Sequence, residues 1–262
     1  TNPNGIESYR NMKADNIQKK VYDDSFSHNH DLSITGGTEK TKVLFAVNYT
    51  DEDGMKLASY YKRANVSLKV NQKIAKNVDI SLDTRYTNTK KMGDEGVRNG
   101  SGSVLSSSYR FRPIATENIL GDLNAMNEGM IENYAKQSQW DRYNPVNRIN
   151  DNYSPKDYQA LRGILSLNWE IVKGLTYHSD LSLNQSWNQN KTWTGAIVNS
   201  YMDDNTGEIL YAGNAELEKS NKWGLRWSNT LNYDFSLGKA HRFSILAGHE
   251  VSDSGGDGLK AS

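Results

Sequence analysis

Along much of this chain, apolar side chains take every second position. Val43, Phe45, Val47 and Tyr49 alternate with Leu44, Ala46, Asn48 and Thr50. Ala64, Val66, Leu68 and Val70 alternate with Asn65, Ser67 and Lys69, and Val78, Ile80, Leu82 and Tyr86 with Asp79, Ser81, Asp83 and Arg85. The rhythm resumes at Leu161, Leu165, Leu167 and Trp169 against Arg162, Ile164, Ser166 and Asn168. It continues at Leu175, Tyr177, Leu181, Leu183 and Trp187 against Thr176, His178, Asp180, Ser182 and Asn184. Its clearest run sets Trp223, Leu225, Trp227, Leu231, Tyr233 and Phe235 against Gly224, Arg226, Ser228, Thr230, Asn232 and Asp234. With shorter runs at 32–35 and 242–251, the pattern predicts about eight strands, each with one oily and one wet face.

Alternation of this kind also suits a soluble barrel or sandwich, so the pattern alone leaves the class open. Three details favour a membrane wall. Several runs reach ten or more residues, about what a tilted strand needs to cross a bilayer. Aromatic residues (Tyr49, Tyr86, Trp169, Trp187, Trp223, Tyr233, Phe235) gather towards strand ends, as interfacial girdles do. Connections alternate between short (36–40, 71–77, 172–174, 236–241) and long (51–61, 90–157, 188–221), the habit of outer-membrane barrels. Two stretches look helical: residues 6–20, and 116–137, where Ile119, Leu120, Leu123, Met126 and Met130 recur at near-helical spacing.

Composition changes the picture in one respect. Only 36% of the 262 residues are hydrophobic, which is low for a soluble enzyme of this length, yet 15 Tyr, 6 Trp and 5 Phe with 4 Pro argue against disorder. The 31 basic and 31 acidic side chains cancel, which speaks against a nucleic-acid binder. With no cysteine, neither a disulfide framework nor a thiolate metal site can form. No run approaches the roughly 18 apolar residues of a spanning helix. The opening Thr1-Asn2-Pro3-Asn4-Gly5 carries no export signal. In an intact gene product that points to the cytoplasm; in a fragment it carries no weight.

The hairpins also have familiar wording. Asn29-His30-Asp31-Leu32-Ser33-Ile34-Thr35-Gly36-Gly37-Thr38-Glu39-Lys40 resembles the Gly-Gly hairpin of SusC/RagA-type TonB-linked outer-membrane proteins. Residues 48–54, 61–70 and 75–82 continue as in that family. Tyr109-Arg110-Phe111-Arg112-Pro113-Ile114, Tyr143-Asn144-Pro145 and Glu170-Ile171-Val172-Lys173-Gly174-Leu175 then follow in the family's order. The resemblance spans essentially the whole chain. It implies an all-β fold of antiparallel transmembrane strands, part of a larger 22-stranded barrel in the outer membrane. Short periplasmic turns and long extracellular loops would join the strands. The family's plug and TonB box lie upstream of the barrel, and Asp257-Gly258-Leu259-Lys260-Ala261-Ser262 lacks the closing aromatic strand, so an early-to-middle barrel segment is expected.

The expected division is a lead-in at 1–29, strands one to four within 30–90, and a long loop at 91–157. Strands five and six fall within 158–188, a loop at 189–221, strands seven and eight within 222–251, and a loop at 252–262. The implied function is import of a nutrient such as an oligosaccharide or peptide. The implied partners are a SusD-like surface lipoprotein, the TonB complex acting through the plug region, and membrane lipid. No cofactor, metal, nucleic acid or catalytic step is expected. Two alternatives stand beside this reading: a small self-closed eight-stranded outer-membrane barrel, and a soluble β-sandwich that binds glycans.

Candidate chemistry is sparse. The five histidines are scattered, and only His28 and His30 share a strand face. Asp51/Glu52/Asp53 and Asp203/Asp204 read as solvated carboxylates in loops, and 203–208 as a tight turn rather than a cation loop. Asn99-Gly100-Ser101-Gly102-Ser103 is a flexible linker in composition, not a phosphate loop. The candidates for ligand contact are loop aromatics and arginines: Tyr109, Arg110, Phe111, Arg112, Trp140, Arg142, Tyr143 and Tyr201. Arg85, Arg162 and Arg226, on the wet face, are expected to pair with Asp79, Asp83, Asp180 or Asp234 across neighbouring strands.

Overall fold

The period-two segments form long strands, and the register aligns their apolar faces. In the computed structural model, which describes residues 14, 16–93, 104, 108–109, 111, 145–195, 201–203, 205–210, 213–238 and 240–262, the first part comprises α1 (Ile17–Val21), β1 (Ser27–Gly37), β2 (Thr41–Asp53), β3 (Tyr60–Ala75) and β4 (Val78–Met92). After the long loop come α2 (Pro145–Asp151), β5 (Asn152–Tyr153), β6 (Lys156–Val172) and β7 (Leu175–Thr194). They are followed by β8 (Tyr201–Met202), β9 (Ile209–Leu210), β10 (Asn214–Leu237) and β11 (His241–Ala261). The eight long strands lie side by side in the order β1-β2-β3-β4-β6-β7-β10-β11, every pairing antiparallel. Two-residue β5 pairs with the end of β7, and β8 with β9 makes a separate small hairpin.

One row of directly opposed residues crosses all eight: Gly36, Val43, Val70, Leu82, Leu165, Leu181, Trp227 and Val251. Seven of these eight are apolar, so the alternating runs merge into one continuous oily band on one side of the sheet. On β10 the band runs from Trp223 to Phe235, about 40 Å along the strand, or about 28 Å in height at a tilt near 45°. That height matches the lipid-facing belt of an outer-membrane barrel.

The band is not a core. Trp227 is 48% exposed and Leu231 39%, whereas the buried hydrophobic set among the described residues is Ile17, Val21, Val104, Phe111 and Ile149, none of them in a long strand. A sandwich requires its inner apolar faces to be enclosed by a second sheet, and among the described residues no second sheet packs against the band. The β-sandwich alternative is therefore set aside. The self-closed small barrel also fails on topology: β1 and β11 end the sheet on opposite sides and do not pair with each other.

All four tight turns lie at one end of the sheet and the long connections at the other. The β6–β7 turn shows why a glycine is needed: Gly174 has φ +84°, and its carbonyl accepts a hydrogen bond from the Asp234 amide of β10 at 2.8 Å. A Cβ at Gly174 meets the Asp234 carbonyl oxygen at 2.3 Å. Gly174→Ala is expected to cost at least about 1–2 kcal/mol from the left-handed backbone alone, read as a lower denaturant midpoint. Gly163→Ala, where a Cβ meets nothing within 4 Å, should leave the midpoint unchanged or raised.

Strands overrun their sequence-based limits at the long-loop end. β2 runs through Asp53, so Asp51, Glu52 and Asp53 stand in a strand rather than a loop. β4 reaches Met92, β7 reaches Thr194 and β10 begins at Asn214. β11 continues from Val251 to Ala261, where 252–262 reads as loop in the sequence. The overhanging parts are mostly polar or small, with isolated apolar residues such as Trp193, Leu217 and Leu259, so alternation disappears although the ladder continues: Leu217 still pairs with Ala261. Of the expected helix at 6–20, α1 occupies Ile17–Val21, with the Asn16 side chain accepting from the Lys19 amide at its start. The expected helix at 116–137 and the linker at 99–103 lie outside the described residues.

The buried cluster sits at the long-loop end and fastens distant parts of the chain together. Ile17 and Val21 of α1 pack with Ile149 of α2, Val104 and Phe111, with Tyr22 and Val146 against them. The Asp23 amide donates to Met55 O at 3.0 Å and the Leu57 amide to Val21 O at 2.8 Å, which ties α1 to the β2–β3 loop. Burial, together with the nearby Tyr109, raises the Tyr22 phenol above its ordinary pKa.

Candidate functional site

The face opposite the oily band carries the polar chemistry. The row Asp31, Asn48, Asn65, Thr87 is hydrogen-bonded from strand to strand: Asn48 Nδ2 donates to Asp31 Oδ1 at 2.6 Å, Asn65 Nδ2 to Asn48 Oδ1 at 3.1 Å, and Thr87 Oγ1 to Asn65 Oδ1 at 2.8 Å. Such ladders satisfy amides that face neither lipid nor a packed interior.

Charges on this face pair differently from the sequence-based expectation. Arg226 pairs with Glu250 of β11 at 2.5 Å, Asp83 with Lys69 at 3.6 Å, and Asp180 with His178 at 3.0 Å. Asp234 accepts from Asn232 at 2.7 Å. Arg85 and Arg162 make no ion pair with a carboxylate among the described residues; they stand directly opposite each other in the β4–β6 register. The expected pairing of Arg85 and Arg162 with Asp79, Asp83, Asp180 or Asp234 is thus corrected, and register is the reason. Their row reads Ser33, Ala46, Ser67, Arg85, Arg162, Asn184, Gly224, Ser254, without a carboxylate.

A groove of about 490 Å³ opens beside the two arginines, with Tyr158, Ala160, Ser186 and Lys222 in its lining. Nothing local in the sequence marks this site. It depends on β4 meeting β6 across a connection of more than sixty residues, and alternation does not fix such a register.

The loop candidates fall unevenly. Tyr109 is 67% exposed at the long-loop end, and Phe111 is buried in the apolar cluster, where its ring serves packing. Tyr201 begins β8 in the small hairpin, but its side chain is outside what is described. Arg110, Arg112, Trp140, Arg142 and Tyr143 lie outside the described residues. The His28 and His30 rings lie tilted at 54° with centroids 5.0 Å apart, flanked by Phe26 and Tyr49, as an aromatic strip. Among the described residues no three His, Asp or Glu side chains cluster as a metal site would need. The 203–208 segment is the tight turn of the β8–β9 hairpin: the Asn205 amide donates to Asp203 Oδ1 at 2.8 Å, and Gly207 has φ +70°.

No family model matches the chain. Among curated proteins it is similar to the TonB-dependent receptor P3 of Formosa agariphila, 24% identical over 239 residues that make up 88% of this chain and 22% of that protein. The TonB-dependent receptor P39 of the same organism is 26% identical over 225 residues, 84% of this chain and 19% of that protein. The chain therefore spans about a fifth of the length of these relatives. Among solved structures it resembles the RagAB peptide importer in its open-open state, with a TM-score of 0.68 at 15% identity over 97% of this chain and 28% of that one. It also resembles the ferric-catecholate import receptor Fiu of E. coli in its open form, with a TM-score of 0.54 at 12% identity over 88% of this chain and 33% of that one. The fold is that of a stretch of TonB-dependent transporter barrel wall, and the proteins it resembles are receptors and importers rather than enzymes.

Proposed function

We propose that the chain is a wall segment of a TonB-dependent outer-membrane importer that admits a hydrophilic nutrient, an oligosaccharide or a peptide. The observation that carries this reading is a single layer of long strands, oily on one face and lined on the other by hydrogen-bonded amides and charges. Such a wall stays stable when lipid covers the first face and water the second. The short turns then face the periplasm and the long loops the outside. A SusD-like lipoprotein sits over the loop end and a plug fills the lumen. Tyr109, Arg110, Arg112, Trp140, Arg142, Tyr143 and Tyr201 are the proposed ligand contacts in the loops.

The test uses the full-length protein that contains this segment. It should sediment with outer membranes, need detergent for extraction, co-purify with a surface lipoprotein, and support uptake only in cells with functional TonB. Recovery of the full-length protein in the soluble fraction, or uptake indifferent to TonB, rejects the proposal.

A further inference from the structure

We propose that Arg85 and Arg162, with Lys222 beside them, form an oxyanion site on the polar face, so that the cargo carries carboxylate or sulfate groups. This deepens the importer reading and rests on it.

The first argument is the cost of the arrangement without an anion. Directly opposed residues of an antiparallel pair have Cβ atoms about 5 Å apart, and like charges placed there repel. On this face Arg226 pairs with Glu250 and Lys69 with Asp83, and Arg85 and Arg162 are set directly against each other across a strand pair. Among the described residues Arg85 and Arg162 have no carboxylate partner and Lys222 no ion pair; Lys222 stands one row away, in the row of Thr87, Ala160 and Ser186. Two guanidinium groups opposed directly, in a row without a carboxylate, break the pairing rule for like charges and mark a site completed by something else.

The second argument is shape. The groove is lined by the short Ala160 and Ser186 together with Arg85, Arg162, Lys222 and Tyr158. Guanidinium forks suit bidentate contact with carboxylate or sulfate. A flat phenol beside them offers a face to a sugar ring or a peptide plane. Carboxylate and sulfate share this recognition chemistry, whether they come from a peptide or a saccharide.

The experiment measures binding by the full-length protein in detergent. The probes are tetragalacturonate and its methyl ester, and a tetraglutamate peptide and its glutamine counterpart. Arg85→Gln/Arg162→Gln is compared with the native protein and with Arg226→Gln. The expected result is a loss of about tenfold or more for the acidic probes, the scale of a lost charged hydrogen bond. The neutral probes should change less than about twofold, and the native protein's preference for acidic probes should fall as salt rises. Loss confined to the saccharide or to the peptide supports the site and names its source. Equal treatment of acidic and neutral probes by the native protein overturns the inference while leaving the importer reading intact. So does a double variant that keeps its acidic preference but melts lower, because the arginines would then be holding a carboxylate of the protein itself. Failure of the importer reading is seen separately, in fractionation and TonB dependence.

Discussion

Leu181→Arg should lower the stability of the membrane-inserted protein by about 2–4 kcal/mol, the cost of a guanidinium at mid-depth on the lipid face of a barrel. That is about thirty- to several-hundred-fold in the folded fraction. Leu181 lies between Leu165 and Trp227 in the central apolar row and is 41% exposed in this single-layer sheet. In water an arginine there would be harmless, since neither neighbour encloses it. The penalty exists only if lipid lies against that face. Ser228→Arg is the matched control, on the opposite face and in register with Asp180 and Glu250; it should be neutral or mildly stabilising. Unfolding in lipid vesicles, followed by tryptophan fluorescence, separates the two. Equal effects from both variants would falsify the assignment of faces.

How far the molecule can be read from its sequence depends on what lies on each side of the strand. Where one face is apolar and the other polar, as on β10 from Trp223 to Phe235, the contrast is written into alternate residues and the strand is plain. Where the same strand rises past the band, both faces meet polar surroundings and the code lapses. Gly256, Asp257 and Gly258 belong to β11 and stand opposite Lys222, Asn221 and Ser220 of β10, yet their side chains give no period although the ladder continues. α2 escapes for another reason: seven residues with Ile149 as the buried anchor are too short for a helical period to show. Tight turns, by contrast, were readable because Gly37, Gly174 and Gly238 adopt positive φ and glycine is the residue that does so at least cost.

Register is the layer that sequence pattern conveys least. Alternation places Arg85 and Arg162 on the wet face but says nothing about which residue of β6 meets which residue of β4. A slip of two residues preserves every face assignment and would set Arg85 against Ile164 or Ala160 rather than Arg162. Ion pairs inferred from face alone are therefore fragile: Arg226 finds Glu250, a carboxylate on β11, rather than any of the four aspartates on its own face that alternation suggests. The candidate site emerges from the neighbour relations of the strands and not from any motif.

Phe111→Ala should open the long-loop end without melting the sheet. Removing a buried phenyl ring costs about 3–5 kcal/mol where the surroundings cannot collapse into the space. Here the ring is 6% exposed and packs in a cluster with Val21, which is fully buried, and with Ile17, Val104 and Ile149. The cluster joins α1, α2 and the long loop, while the eight strands are held by their own ladders, so the loss should appear as local opening rather than global unfolding. Hydrogen exchange should quicken at the Leu57 amide, which donates to Val21 O, and at the Tyr22 amide, which donates to Gln18 O. Exchange at strand amides in the central row, around Leu165 and Leu181, should hold its native rate. New protease cuts should appear between residues 93 and 145 under the same conditions. Uniform acceleration across the strands would mean that the cluster is part of the wall's own stability. If the local prediction holds, the cluster is a latch on the long-loop end, and the variant's denaturant midpoint stays that of the native protein.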